Sequence, residues 1–131
     1  MSLGNIIAQN AMIDAQIQAC NAEIVALKEK IERLQEALLK LKEYYGSIED
    51  IKAKLARKSA EQERWEGDNF NRHKEQTQDE VLNPIGMYLK ELDEALNNIE
   101  NKIRQLKEEI SALHDKIKSL NAMKASLVNS Q

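Results

Sequence analysis

Apolar residues recur along this chain at alternating steps of three and four. One run reads Ile13, Ile17, Cys20, Ile24, Leu27, Ile31, Leu34, Leu38, Leu41, Tyr45, Ile48. A second reads Ile85, Leu89, Leu92, Leu96, Ile99, Ile103, Leu106, Ile110, Leu113, Ile117, Leu120. A seam that returns every 3.5 residues on average marks helices packed along their length. Folding the chain back at Glu66–Gly67 lays the two seams together. Ile48 then falls opposite Ile85, Leu34 opposite Ile99, Cys20 opposite Leu113 and Ile13 opposite Leu120. A slip of half a heptad also brings apolar to apolar, so the register stays open. Every nearby register keeps the fold point between Trp65 and Asp68. The expected fold is all-α: a single domain over residues 1–131, built as a long antiparallel two-helix hairpin like a coiled coil. Helix 1 is expected over about 6–63, the turn over 64–69, and helix 2 over about 70–128.

Two places disturb the pattern. Ser47 with Asp50 three residues on resembles a capping box after Gly46, so helix 1 is expected to bend or restart there. The apolar letters also change step, from Ile48 to Ile51 and Leu55, which reads as a shift in seam phase. In helix 2, Pro84 lacks an amide donor and clashes with the preceding turn, so a kink or break is expected near 83–84. The outer faces carry acid-to-base pairs four apart, Glu29–Arg33, Glu36–Lys40, Asp50–Lys54 and Glu100–Arg104, each adding a few tenths of a kcal/mol. Ala15, Ala19, Ala22 and Ala26 follow the same four-three-four spacing on the side away from the seam. They read either as good helix formers on a solvated face or as a small-residue stripe that admits a partner helix.

Composition supports the long-helix reading, with 31% charged residues, 4% aromatics, one Pro and four Gly. The net charge of −3 comes from interleaved signs, which argues against a nucleic-acid or anionic-membrane surface. No apolar run approaches the roughly 18 residues of a membrane-spanning helix, so no membrane insertion is expected. No basic segment followed by an apolar core opens the chain, so the expected location is the cytoplasm, or outside the cell by a route that reads no signal peptide. Cys20, the single cysteine, is expected to be a small buried hydrophobe.

Sites for chemistry are not expected. His73 and His114 lie far apart, and neither has His or Glu partners at helical metal-site spacing, although Glu109 and Asp115 lie near His114. The chain has no glycine-rich phosphate loop and no nucleophile elbow. Tyr44, Tyr45 and Tyr88 could form a cluster, but Tyr45 lies on the seam and reads as core filling. A two-helix hairpin offers no deep pocket. The chain is therefore expected not to be an enzyme, and to hold no catalytic, cofactor, metal or small-molecule site.

The stretch Arg64–Phe70, RWEGDNF, sits between the two runs. It holds the only Trp, Trp65, the only Phe, Phe70, and Gly67. A W-x-G at the turn of a helical hairpin resembles the WXG superfamily of small type VII secretion proteins of Gram-positive bacteria. The length is most like the longer YwqH-like partners of LXG toxins. The chain ends Leu127-Val128-Asn129-Ser130-Gln131 without the Tyr-x-x-x-Asp/Glu export signal of the short secreted members, and Tyr88 with Leu92 does not supply one. The resemblance implies a non-catalytic role: pairing with the helical N-terminal domain of a secreted effector or toxin and presenting it to the secretion machine. Trp65 then serves a partner or export function, or it is a hydrophobic plug at the hairpin end.

A partner also follows from burial. A lone pair of helices leaves Ile7, Met12, Ala37, Leu39, Met87 and Ala95 without cover. Joining two hairpins in a four-helix bundle covers them. A homodimer is expected for the chain alone, and a helical heteroassembly in the cell. The competing reading, from the heptads only, is a self-associating cytoskeletal or phage scaffold hairpin.

Overall fold

The structure, a computed structural model, describes residues 2–62 and 75–129. Trp65, Gly67 and Phe70, and with them the expected turn, lie outside the described residues. Helix α1 spans Leu3–Gln62 and helix α2 spans Asn83–Asn129, of 60 and 47 residues. Residues 75–77 are helical and lead into a single π turn, Gln78–Leu82, which joins α2 directly. No strand occurs among the described residues.

Local chemistry explains where these helices start and change. The Ser2 hydroxyl accepts from the Asn5 amide at 3.2 Å, and the Ser2 carbonyl accepts from Ile6 at 3.1 Å. Ser2 thus caps α1 in the usual manner of a helix-start serine. Before Pro84 the amide of Asn83 bonds back to the Gln78 carbonyl, five residues earlier. Pro84 has no amide to give and its ring crowds the turn behind it, and a widened π turn relieves that crowding. The side chains of Gln78 and Asn83 bridge the turn at 2.8 Å. The expected interruption at 83–84 therefore takes the form of a change in hydrogen-bond step, and the chain stays helical across it. At Gly46 and Ser47 the expected restart does not occur. α1 is continuous there, and a glycine's helix penalty of about 1 kcal/mol is small beside the packing of the seam.

The chain divides into two compact units, one of Met1–Gln35 with Asn101–Gln131 and the other Glu36–Glu100. Each takes a stretch of α1 and a stretch of α2. In the first, Asp14 meets Lys124, and Ile31 shares a groove with Lys107 and Ile110, so rising numbers on one helix face falling numbers on the other. In the second, Lys42 meets Glu100 while Tyr45 and Lys52 share a groove with Gly86 and Leu89, again antiparallel. The fold is an all-α helical hairpin.

Burial reveals a longer seam than the apolar letters do. On α1 every position of the series 6, 10, 13, 17, 20, 24, 27, 31, 34, 38, 41, 45, 48, 52, 55 and 59 is buried or half-covered, alternating four and three without a break, with Asp14, Ala37 and Gly46 half-covered beside it. In heptad letters, Asn10, Ile17, Ile24, Ile31, Leu38, Tyr45, Lys52 and Ser59 take position a, and Ile6 through Leu55 at sevens take position d. From the last residue of the π turn onward, Leu82 and then Leu89, Leu96, Ile103, Ile110, Ile117 and Lys124 of α2 take a, and Ile85 through Leu127 at sevens take d. The expected phase shift after Ser47 is absent. Ile51 is 51% exposed, and Lys52 stands in the seam instead.

The contacts also bear on the register. Under the expected pairing, Asp14 would stand level with Ser119 and Lys52 with Val81. Asp14 is instead bonded to Lys124 at 2.6 Å, and the Lys52 ammonium lies 3.4 Å from where a Cβ on Gly86 would be. Each contact falls five positions beyond the expected partner. Lysine reach, with side chains leaning toward their helix N-termini, covers part of that displacement. The contacts place the pairing between the expected register and one half a heptad further on.

Candidate functional site

In the unit of residues 1–35 and 101–131, Ile6, Ile13, Cys20, Ile24, Leu27, Ile31, Ile103, Leu106 and Leu120 are all buried. With its seam closed, the residues left for a partner lie on the outer faces. Ala15, Ala19, Ala22 and Ala26 are all exposed, on the side of α1 opposite the seam. Ala8 and Met12 continue the stripe toward the N-terminus at the same steps, and Met12 is 65% exposed. Residues 3–27 carry only two charges, Asp14 and Glu23, in a chain that is 31% charged. Asp14 is paired with Lys124, so this face is nearly neutral.

Beside the stripe lies an open trough between the helices. Gln9, Met12, Ile13 and Gln16 of α1 and Met123, Ser126 and Leu127 of α2 line it, without a charged side chain. Met123 is 55% exposed. Methionine adapts to varied partner shapes, and exposed apolar side chains grouped with neutral amides are the composition of a protein-contact surface. The sequence reading singled out the four alanines and Met12 but not the trough. Met123 stands just before a seam position on the other helix, and only the folded pairing brings it to Met12.

Polar seam positions mark the same end of the unit. Lys124 occupies an a position and donates to the Asp14 carboxylate at 2.6 Å, with the two side chains 40% and 49% exposed. Asn10 occupies another a position, and its Oδ1 is buried without a hydrogen-bond partner.

In the unit Glu36–Glu100 the two sides of the seam differ. On one side Lys42 pairs with Glu100 at 3.7 Å, and a groove lined by Glu49, Lys52 and Asp93 among others continues that polar edge. Tyr45 is half-buried on the seam, as expected, whereas Tyr44 and Tyr88 are 64% and 51% exposed. The expected Glu100–Arg104 pair is superseded on both members: Glu100 bridges to Lys42, and Arg104 donates to Asn101 at 3.2 Å.

Among the described residues, no three His, Cys, Asp or Glu side chains group to hold a metal ion. His114 is exposed, and Cys20 is a free, buried thiol. No helix among them is long and apolar enough to cross a membrane. The grooves in the unit of residues 1–35 and 101–131 are open troughs, one lined by apolar, amide and hydroxyl side chains and the other by Val25, Ile31 and Ile110 with Lys28, Glu29, Glu32 and Lys107.

A family profile described as YwqH-like matches residues 8–129, nearly the whole chain. The chain belongs to that family. No curated protein and no solved structure matches it.

Proposed function

Because the chain is a YwqH-like protein, we propose that it is a non-catalytic helical partner in a type VII secretion system, pairing with a secreted effector or toxin and presenting it for export. The observation that carries this reading is the neutral outer face of α1. Ala8, Met12, Ala15, Ala19, Ala22 and Ala26 form a stripe of small and apolar side chains, exposed and unbroken by charge. Small residues let a second helix approach closely, and a neutral face asks for an apolar stripe on the partner.

The reading is tested by co-expressing the chain with the helical N-terminal domain of a candidate type VII effector from the same bacterium, then measuring co-purification and affinity. The wild-type pair is expected to bind. Ala19→Lys and Ala22→Glu, each at an exposed position, are expected to weaken binding at least tenfold while leaving helicity unchanged. Binding that ignores both substitutions removes the stripe from the account. No binding, with filaments of the chain itself, favours the scaffold reading. Trp65→Ala is expected to spare folding and impair binding or export. If it does neither, Trp65 is a plug at the hairpin end.

A further inference from the structure

We propose that α1 carries, in the unit Glu36–Glu100, a docking strip for an acidic amphipathic helix of a partner protein. The strip is Lys40, Tyr44, Ser47, Ile51, Lys54 and Lys58, which follow one another at steps of four and three. Those steps hold them on one face of the helix, next to the seam positions Leu41, Ile48 and Leu55. All six are exposed, and Leu55 at the edge is half-covered. Tyr44 is 64% exposed and Ile51 51%. Two open troughs lie along the strip, one lined by Lys40, Glu43, Tyr44 and Ser47, the other by Ile51, Lys54, Leu55, Arg57 and Lys58. From Lys40 to Lys58 the strip covers about 27 Å of helix.

The charge of this stretch is unlike that of the chain around it. Residues 51–60, IKAKLARKSA, hold Lys52, Lys54, Arg57 and Lys58 and no acid, in a chain of net charge −3. Elsewhere on α1 the signs interleave, as in KEKIERLQE over 28–36. Lys54 stands three residues before Arg57 and four before Lys58, so like charges crowd one face and cost the helix stability. The pair expected between Asp50 and Lys54 does not form. Among the described residues no carboxylate pairs with Lys54, Arg57 or Lys58. On the opposite helix of this unit, Asp79 and Glu80 accept instead from their own neighbours Asn83 and Gln76.

Charge complementarity selects the occupant. An acidic helix with one apolar row lays that row on Tyr44, Ile51 and Leu55. Its flanking carboxylates then face Lys54, Arg57 and Lys58 at one end and Lys40 at the other. A nucleic acid would leave Ile51 and Leu55 without apolar contact. An anionic bilayer would meet Glu43 and Asp50 along the same edge. The strip lies in a different unit from the neutral alanine stripe, and the inference does not rest on that stripe binding an effector.

The test uses the full chain and fluorescently labelled peptides of three heptads, about 21 residues. The acidic peptide has Leu at a and d, Glu at e and g, and Ala or Gln elsewhere. The control carries Lys in place of Glu. By anisotropy, the acidic peptide is expected to bind at least about tenfold more tightly than the basic one, and to weaken as salt is added. Lys54→Glu with Lys58→Glu is expected to reverse that preference. Ile51→Ser is expected to weaken the acidic peptide about tenfold. Helicity by circular dichroism should not change, because all three side chains are exposed. Ala19→Lys, in the other unit, is expected to leave the acidic peptide bound as before. Equal binding of the two peptides overturns the proposal, as does a preference that survives Lys54→Glu with Lys58→Glu. So does failure of the acidic peptide to bind, whether or not phosphatidylserine vesicles or duplex DNA bind in its place. An effector held by the alanine stripe would be untouched by any of these results.

Discussion

Replacing Asn10 with Leu is expected to stabilise the protein. Asn10 stands at an a position of the seam between Ile6 and Ile13, both buried, and its Oδ1 is buried without a donor. Leaving such an acceptor unpaired costs about 1–3 kcal/mol. A leucine there adds apolar contact across a partly covered position, about 1 kcal/mol, with a few tenths more from helix propensity. The net expectation is about 2–3 kcal/mol. For a chain of this size each kcal/mol moves the melting temperature by about 3–5 °C. Urea titration followed by far-ultraviolet circular dichroism, at one fixed protein concentration, reads the effect as a higher midpoint at unchanged slope. A midpoint that is unchanged or lower refutes the reasoning, because it means the Asn10 side chain is bonded in solution. A changed slope would show that the substitution altered compactness, which is the expected cost if Asn10 helps select one register.

Other substitutions test other parts of the account. Leu106→Ala removes the most buried large side chain among the described residues, 3% exposed, and is expected to cost about 2–5 kcal/mol in the same titration. Gly46→Ala should add about 1 kcal/mol, because an added Cβ meets nothing within 4 Å and the position is helix interior. A loss of stability would mean the helix is not continuous at Gly46. Asp14→Ala should cost less than about 1 kcal/mol, since both members of its pair with Lys124 are substantially exposed, and the loss should shrink as salt is added.

The hairpin and most of its seam were legible because Ile, Leu and Val mark covered positions well when they recur at steps of three and four. The reading failed where polar residues hold seam positions. Asn10, Lys52, Ser59 and Lys124 are covered or half-covered, yet their letters gave no sign of it. Ile51 attracted the seam because it is apolar, while Lys52 beside it holds the position with its stem inside and its ammonium reaching Gly86. The restart expected at Gly46-Ser47 followed local preference, which an uninterrupted seam overrides. Pro84 was recognised as a disturbance, but a π turn is invisible to propensity. The alanine stripe was legible as spacing, since its exposure follows from the heptad alone. The trough with Met123 needed the antiparallel pairing of the two helices.

The central claim is that α1 and α2 run antiparallel with their seams together. Spin labels on Cys at Lys28 and Lys107, in a Cys20→Ala background, test it most directly by pulsed dipolar spectroscopy. Lys28 and Lys107 line one groove, so a narrow distribution below about 30 Å is expected, the helix spacing plus two label arms. If the chain were one uninterrupted helix, the 79 residues separating Lys28 from Lys107 in the sequence would hold the labels more than about 100 Å apart, beyond the range of the measurement, and no short distance would appear.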